Sequence, residues 1–477
     1  MATSIPSFLG VDTHYPTADG NLVRRTHLDG AASPLPAEVA LTSFVEFSPH
    51  YSNTHSHVHA SAQISSQAFA WAQQQVLHYL NAPAEQYSAI FTGAGTTAGI
   101  NRVARGLSQS RPGRPVVLVS AMEHHANDLP HRQFDNQVLY APLSGNGAEQ
   151  GQIDIDALET LLKAERGKVN YVAFSLVSNV TGIINPAAEI CRLAHQYDAL
   201  ALVDAAQAVA HLDLNLDAFG EHDQPDFLFF SGHKIYCPTA PGVMLAKKEI
   251  LATMSGQDLG GGAVNDVSYF DFELANLPDR EHAGTPNIAG VVALGKVLEN
   301  LGNYGKPNIE QHGFHLMNAL HAMLATFEHI TVYGDPKAKR IGALSFTHAQ
   351  IEHGLLAALL NDYRMIAVRN ECFCAHPYVS SLLKEKLWQL DLSQVPIEQH
   401  SAYINRYRGM VRVSLSLYNT LKDIEQLRQA LQWIEANREL LSEHYEALDD
   451  GNFRHKRYSL DWKAQLGWRN QDESQSA

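Results

Sequence analysis

The 477-residue chain is short of cysteine, of basic residues and of long apolar runs. Four cysteines in a chain this size exclude a disulfide scaffold and fit a reducing compartment. Lys and Arg number 35 against 50 Asp and Glu, a formal charge of -15 that argues against non-specific binding to nucleic acid or an anionic membrane surface. No apolar run approaches membrane-spanning length. The opening Met-Ala-Thr-Ser-Ile-Pro lacks the basic region and apolar core of a secretory signal. A soluble, cytoplasmic protein is expected. What is present is a hydrophobic content of 45% with 18% charged residues, enough for a substantial core and too apolar for disorder.

Residues 1–21 are polar and turn-rich, and the small residues of His27-Leu-Asp-Gly-Ala-Ala-Ser-Pro would let a backbone approach a ligand closely. His55, His57 and His59 alternate, with His50 just upstream, so three imidazoles would share one face of an extended segment. No carboxylate or cysteine joins them locally, and we read them as loop histidines rather than a metal site. A helical stretch, Ala60 to Leu80, precedes a strand, Ala89-Ile-Phe-Thr. That strand feeds Gly93-Ala-Gly-Thr-Thr-Ala-Gly-Ile-Asn, a glycine turn opening a second helix. Exposed N–H groups and the helix dipole make such a turn an anion site. Gly99 falls one residue late for a dinucleotide fingerprint, and no Gly-Lys-Ser/Thr follows, so a nucleotide P-loop is excluded. Thr96 and Thr97 offer hydroxyls to a single phosphate.

The chain then repeats one syntax. Strands at Pro115–Val119, Val169–Leu176, Ala199–Val203 and Phe227–Phe230 alternate with helices at Asp156–Glu165 and Ala187–Tyr197. This alternation predicts an α/β fold with a mostly parallel sheet flanked by helices. Each strand ends in a polar cluster: Glu123-His-His-Ala-Asn, Ser178-Asn-Val-Thr-Gly, Asp204-Ala-Ala-Gln and Ser231-Gly-His-Lys. Such sheets bind ligands at the carboxyl ends of their strands. Gly260-Gly-Gly reads as a hinge or close-approach loop, and an apolar helix at Ile288–Leu301 closes the large unit. Residues 302–440 mix strands and helices, such as Gly342–Phe346 and Ile424–Leu440, and beyond 446 the composition turns polar.

Lys234, Asp204, His124, Asn179 and the Gly-Thr-Thr turn thus meet at one sheet edge. A lysine amine forms a Schiff base with an aldehyde. Pyridoxal phosphate requires that lysine, a carboxylate against its ring nitrogen and an anion site for its phosphate. Ser231, His233, Thr96 and Thr97 are candidates for the phosphate, Asp204 for the nitrogen, and His124 for stacking on the ring.

The chain resembles the class V aminotransferase family of fold-type-I pyridoxal-phosphate enzymes, and within it the group II cysteine desulfurases and selenocysteine lyases. The words that carry the likeness are Leu28-Asp-Gly-Ala-Ala, Gly95-Thr-Thr-Ala-Gly-Ile-Asn, Glu123-His-His-Ala-Asn, Ser178-Asn-Val-Thr-Gly, Asp204-Ala-Ala-Gln-Ala-Val, Ser231-Gly-His-Lys, Ala283-Gly-Thr-Pro-Asn and Arg412-Val-Ser-Leu-Ser-Leu-Tyr-Asn-Thr. The resemblance implies Lys234 as the Schiff-base lysine, Gln207 near the ring hydroxyl, Arg412 on the substrate carboxylate, and Asn179 in contact with cofactor and substrate. It also implies His125 turned away from the ring. It implies a homodimer whose Thr285 reaches the neighbouring subunit's phosphate, an amino-acid substrate and a sulfur-acceptor protein. A large domain at 30–290, a small α+β domain from 1–29 and 291–445, and a polar tail at 446–477, partly ordered at most, are expected.

In desulfurases of this kind a cysteine thiolate attacks the substrate sulfur and becomes a persulfide. The corresponding stretch is Val368-Arg-Asn-Glu-Cys-Phe-Cys-Ala-His-Pro, where Cys374 is the candidate nucleophile and Cys372 the understudy. Three features depart from the family pattern. Glu371 stands where a glycine is usual, and its carboxylate would raise a nearby thiol's pKa. The segment between Cys374 and Arg412 is longer than in typical members, and the tail after 446 is extra. Transamination, racemisation or another C–S cleavage on a different amino acid is the alternative chemistry.

Overall fold

The computed structural model describes residues 5–468 apart from 57, 221, 255–257 and 394. Its centre is a seven-stranded sheet of β1 (Tyr87–Thr92), β2 (Val116–Ser120), β3 (Gln137–Ala141), β4 (Val169–Ser175), β5 (Leu200–Asp204), β6 (Phe227–Ser231) and β7 (Gly242–Lys247). The spatial order is β1-β7-β6-β5-β4-β2-β3. Strands β2 to β6 pair in parallel, whereas β7 runs antiparallel to both β1 and β6. Two of these strands, β3 and β7, were not read from the sequence. The first is an edge strand with only its last residue buried, so its apolar pattern is weak.

Burial on both faces explains the near-continuous apolar runs of the central strands. Alternate side chains of β6 point to opposite sides. Leu228 and Phe230 join one core with α5 (Ile288–Tyr304), while Phe227 and Phe229 join the other with Ile100, Val103 and Leu107 of α2 (Gly95–Ser110). Helices α1 (Ala60–Tyr79), α3 (Ile155–Ala164) and α4 (Ala187–Gln196) lie within a few residues of their expected bounds.

A second sheet, all antiparallel, has the order β8 (Ile330–Val332), β9 (Ala343–His348), β11 (Met410–Ser414) and β10 (Arg369–Glu371). Its core unites Leu344, Phe346, Val411 and Val413 with side chains of α6 (Lys306–Leu324), α7 (His353–Arg364) and α8 (Leu421–Ser442). Thr26–His27 pairs in parallel with Ile366–Ala367, which carries Asp29 towards Arg412 of β11.

The stretch after 446, expected to be ordered only in part, folds as far as the structure describes it. Strands β12 (Tyr445–Ala447) and β13 (Phe453–His455) form a hairpin, followed by a short helix at Trp462–Gln465. Tyr445 O–H donates to Asp362 at 2.9 Å and Tyr458 O–H to the Pro16 carbonyl at 2.6 Å, so side chains tie this polar segment down. Residues 469–477 of the expected tail lie outside the described residues.

The alternating histidines separate. His59 caps α1, accepting from Ala62 N–H, and His55 packs against Gly262, where a Cβ would stand 2.1 Å from the imidazole. His57 lies outside the described residues. Among the described residues, no helix is long and apolar enough to cross a membrane.

Candidate active site

The carboxyl ends of the parallel strands open into a cavity of about 480 Å³. On one side lies the N-terminus of α2, a 16-residue helix whose first residues Gly95 to Thr97, with Gly93 and Ala94 just before them, line the cavity. Thr96 N–H donates to Ser231 Oγ at 3.0 Å, which joins this turn to the end of β6. Gly95 has φ +59°, and a Cβ there would come within 2.6 Å of Ser231 Oγ. The turn therefore requires glycine on both conformational and steric grounds. His233 lines the same cavity, with Ser33 Oγ 3.4 Å from its Nδ1.

Lys234 follows Ser231 in a single 3-10 turn, its amine aimed into a desolvated environment. Burial depresses its pKa, and the Asp204 charge opposes that shift. Asp204 ends β5 almost wholly buried, and burial raises its pKa against the Ala206 N–H bond at 2.9 Å and the Lys234 charge. Gln207 donates to the Ala31 carbonyl at 2.8 Å, so the small-residue turn seen in the sequence forms one wall.

His124 is pushed down to about 3, chiefly by burial and then by Lys234. It is therefore neutral at pH 7. Ala126 N–H donates to its Nδ1 at 3.0 Å, so the proton of the neutral ring sits on Nε2. His125 turns elsewhere and stacks on His376, with ring centroids 5.0 Å apart.

The second sheet supplies the opposite wall. Arg412 is 2% exposed and lies with its Cζ 4.8 Å from the Phe373 ring centroid. It donates to the Asn179 carbonyl and to Asp29 Oδ1, both at 3.0 Å, while its buried Nε has no hydrogen-bond partner among the described residues. Burial lowers its pKa to about 10, which still leaves a cation at pH 7. Asn179 Nδ2 donates to the Phe373 carbonyl at 2.8 Å. Of the two cysteines two residues apart, Cys374 lines the cavity. Cys372 is 3% exposed, its Sγ donates to the Arg408 carbonyl at 3.2 Å, and burial, with a contribution from Glu371, pushes its thiol up to about 11.

Thr285 is not brought into this cavity. It accepts from Asn53 Nδ2 at 3.0 Å and lines an adjacent cavity of about 490 Å³ that shares Gly93 and Ala240 with the first. Two residues were missed as contributors. Arg369 lines the Lys234 cavity and sits opposite Arg412 in the β10–β11 ladder; a basic residue five before a candidate nucleophile was the available signal. Glu123 is buried and accepts from Ser175 N–H at 2.8 Å, Ser175 Oγ at 2.6 Å, Asn127 Nδ2 at 2.7 Å and the Ser120 hydroxyl. Burial raises its pKa to about 7 against those bonds. It ties the ends of β2 and β4 together beside His124, and no local sequence signal distinguishes it from an ordinary loop acid.

The residues present fit pyridoxal phosphate: a helix N-terminus with hydroxyls for a phosphate, a desolvated amine for an aldehyde, and a buried carboxylate whose burial cost a protonated ring nitrogen would offset. The family model for aminotransferase class-V matches residues 26–427. A cysteine desulfurase of Enterobacter sp. strain 638 is 32% identical over 426 residues, 88% of this chain and 95% of that protein. One of Klebsiella pneumoniae strain 342 is 32% identical over 415 residues, 86% and 93% of the two chains. Among solved structures, an apo cysteine desulfurase from Thermococcus onnurineus superposes with a TM-score of 0.74 at 25% identity, covering 88% of this chain and 95% of its own. The Escherichia coli cysteine desulfurase CsdA, as its S-sulfonic acid, gives 0.71 at 28%, covering 86% and 95%.

Proposed function

The chain belongs to the class V aminotransferase family and is a pyridoxal-phosphate enzyme, and from that premise we propose that it removes sulfur from L-cysteine, leaving alanine and an enzyme persulfide on Cys374. The observation that carries this reading is the meeting of Lys234, Arg412 and Cys374 around one cavity.

Thr96, Thr97, Ser231 and His233 would hold the cofactor phosphate, Asp204 would meet the ring nitrogen, and Gln207 would lie near the ring hydroxyl. When bound, pyridoxal phosphate supplies an aldehyde for the substrate amine and an electron sink for charge developing at its α-carbon. Arg412, with Asn179, takes the substrate carboxylate. Lys234, desolvated and held towards its neutral form, accepts and returns the proton at the substrate Cα. His124 stays neutral, with its proton on Nε2, and would stack on the ring. Cys374 Sγ bonds to the substrate sulfur as the Cβ–S bond breaks; the carbon keeps the bonding pair, takes a proton and departs as alanine. A thiol reductant then releases sulfide.

The reading carries with it a homodimer in which Thr285 reaches the partner's phosphate site, a sulfur-acceptor protein, and the division into domains at 30–290 and at 1–29 with 291–445. Its test is incubation of the purified holoenzyme with L-cysteine and dithiothreitol. Alanine and sulfide are expected in equal amounts, with Cys374→Ala reducing both by at least about 100-fold. Full activity in that variant would sink the persulfide role.

A further inference from the structure

Three residues of the Cys374 turn hold left-handed backbone: Glu371 at φ +85°, Phe373 at +53° and Cys374 at +54°. None is glycine, so each carries strain that surrounding contacts must override. Two contacts come from the large sheet's side of the cavity: Asn179 to the Phe373 carbonyl, and His125 N–H to the Cys374 carbonyl at 2.7 Å. Neither touches Glu371, the residue with the largest φ. Its backbone ends β10 opposite Met410 of β11, and its side chain is held by the β12–β13 loop.

Asn452 Nδ2 donates to Glu371 Oε1 at 2.9 Å and to Asp450 Oδ2 at 3.0 Å, while its Oδ1 accepts from Asn370 Nδ2 at 2.7 Å. Both amide hydrogens and the amide oxygen are thus engaged, and the two neighbouring carboxylates admit a donor there but not a third carboxylate. Asn370 Nδ2 also lies 3.3 Å from His353 Nδ1, whose ring donates from Nε2 to the Asn405 carbonyl. The seat is built for close approach. A Cβ on Gly354 would stand 2.2 Å from the Gly451 carbonyl oxygen, and Gly451, at φ +90°, has the Asn405 carbonyl oxygen 2.5 Å from where its own Cβ would be. Asn405 Nδ2 donates back to the Asp449 carbonyl at 3.1 Å, and Arg406 lies over the Phe453 ring. The three features that depart from the family pattern therefore meet at one place: Glu371, the long segment before Arg412, and the extra stretch after 446.

We propose that the segment after 446 is a clamp, with Asn452 as a positioning residue that holds Glu371 in left-handed backbone and thereby fixes the Cys374 thiol over the cavity. This rests on Cys374 as the nucleophile. Asn452 touches neither substrate nor cofactor; it acts through the turn.

The test compares Asn452→Ala, Glu371→Gly and the double variant in the full-length holoenzyme. Iodoacetamide modification of Cys374 is followed by peptide mass, turnover by alanine release, and cofactor loading by visible absorption. Losing the clamp should let the turn relax: in Asn452→Ala the Cys374 alkylation rate rises and kcat falls, each about fivefold, the population shift expected of one lost hydrogen bond. KM and cofactor absorption stay unchanged. Glycine adopts φ +85° without strain, so Glu371→Gly and the double variant remain within about twofold of the parent. An unchanged alkylation rate in Asn452→Ala overturns the proposal, and so does Glu371→Gly as loose as Asn452→Ala, since the bond alone would then matter and not the backbone it holds. If no form releases alanine from L-cysteine, the functional reading fails, while the alkylation contrast still decides the clamp.

Discussion

Two turns deliver chemistry to one cavity, and they are held in place by different means. The Lys234 turn follows β6, a central strand buried along its whole length, and its geometry is inherited from the sheet. Glycine is present at its closest approaches: Gly95 against Ser231, and Gly242, where a Cβ would lie 2.1 Å from the Gly95 carbonyl oxygen. Its one left-handed non-glycine residue, Tyr236 at φ +64°, is 1% exposed and held by the core around it. The Cys374 turn follows β10, a three-residue edge strand, and takes its left-handed backbone with Glu, Phe and Cys. A non-glycine residue in such a region costs on the order of 1–3 kcal/mol, so the turn persists only through the contacts made to it. The cofactor site is thus a property of the core. The position of the thiol is a property of a few hydrogen bonds, most of them from side chains, and should be the easier of the two to perturb or regulate.

The largest expected effect sits on the rigid side. Lys234→Ala removes the only amine that lines the cavity among the described residues, and should lower alanine formation by at least about 10⁴-fold. The fold should survive, because the variant deletes a half-buried, cavity-lining group already driven towards its neutral form. Dialysed protein should also lose the visible absorption of bound cofactor. Colour retained after dialysis would place the aldehyde on another group and break the comparison at its root.

Arg412 is where the two sides meet, bonded to the Asn179 carbonyl from one and to Asp29 from the N-terminal segment. Arg412→Lys keeps the charge but loses the planar fork that serves those two oxygens and leaves Nε for a substrate carboxylate. KM for L-cysteine should rise roughly 10- to 100-fold, with a smaller change in kcat. An unchanged KM would mean that Arg369, across the ladder, is the carboxylate's partner instead.

The same division governs what could be read from the chain. The parallel strands, the glycine turn and Lys234 were legible because a strand buried on both faces imposes a local apolar run, and a tight turn imposes local glycines. β7 reverses direction in a sheet otherwise read as parallel, and the apolar run Val243 to Ala246 carries no sign of its orientation. The stretch after 446 looked like a tail because its anchors are single polar side chains, Tyr445, Asn452 and Tyr458, meeting partners remote in sequence. Composition registers such a segment as solvated. Only its partners make it structure.

The smallest expected effect sharpens the comparison within the strained turn itself. Cys372 and Cys374 share one short loop, yet their environments differ. Cys372 faces the interior, donates to the Arg408 carbonyl, and has a thiol pushed up to about 11, so almost none of it is thiolate at pH 7. Its contribution is packing plus one weak hydrogen bond, tying the turn to the long segment before Arg412. Cys372→Ala should therefore cost about 1–2 kcal/mol of stability, read as a lowered urea midpoint, with kcat within about twofold of the parent. A fall in kcat matching that of Cys374→Ala would reverse the assignment of the two sulfurs. It would mean that the turn rearranges during turnover to expose the buried one, and that the left-handed backbone seen here is only its resting form.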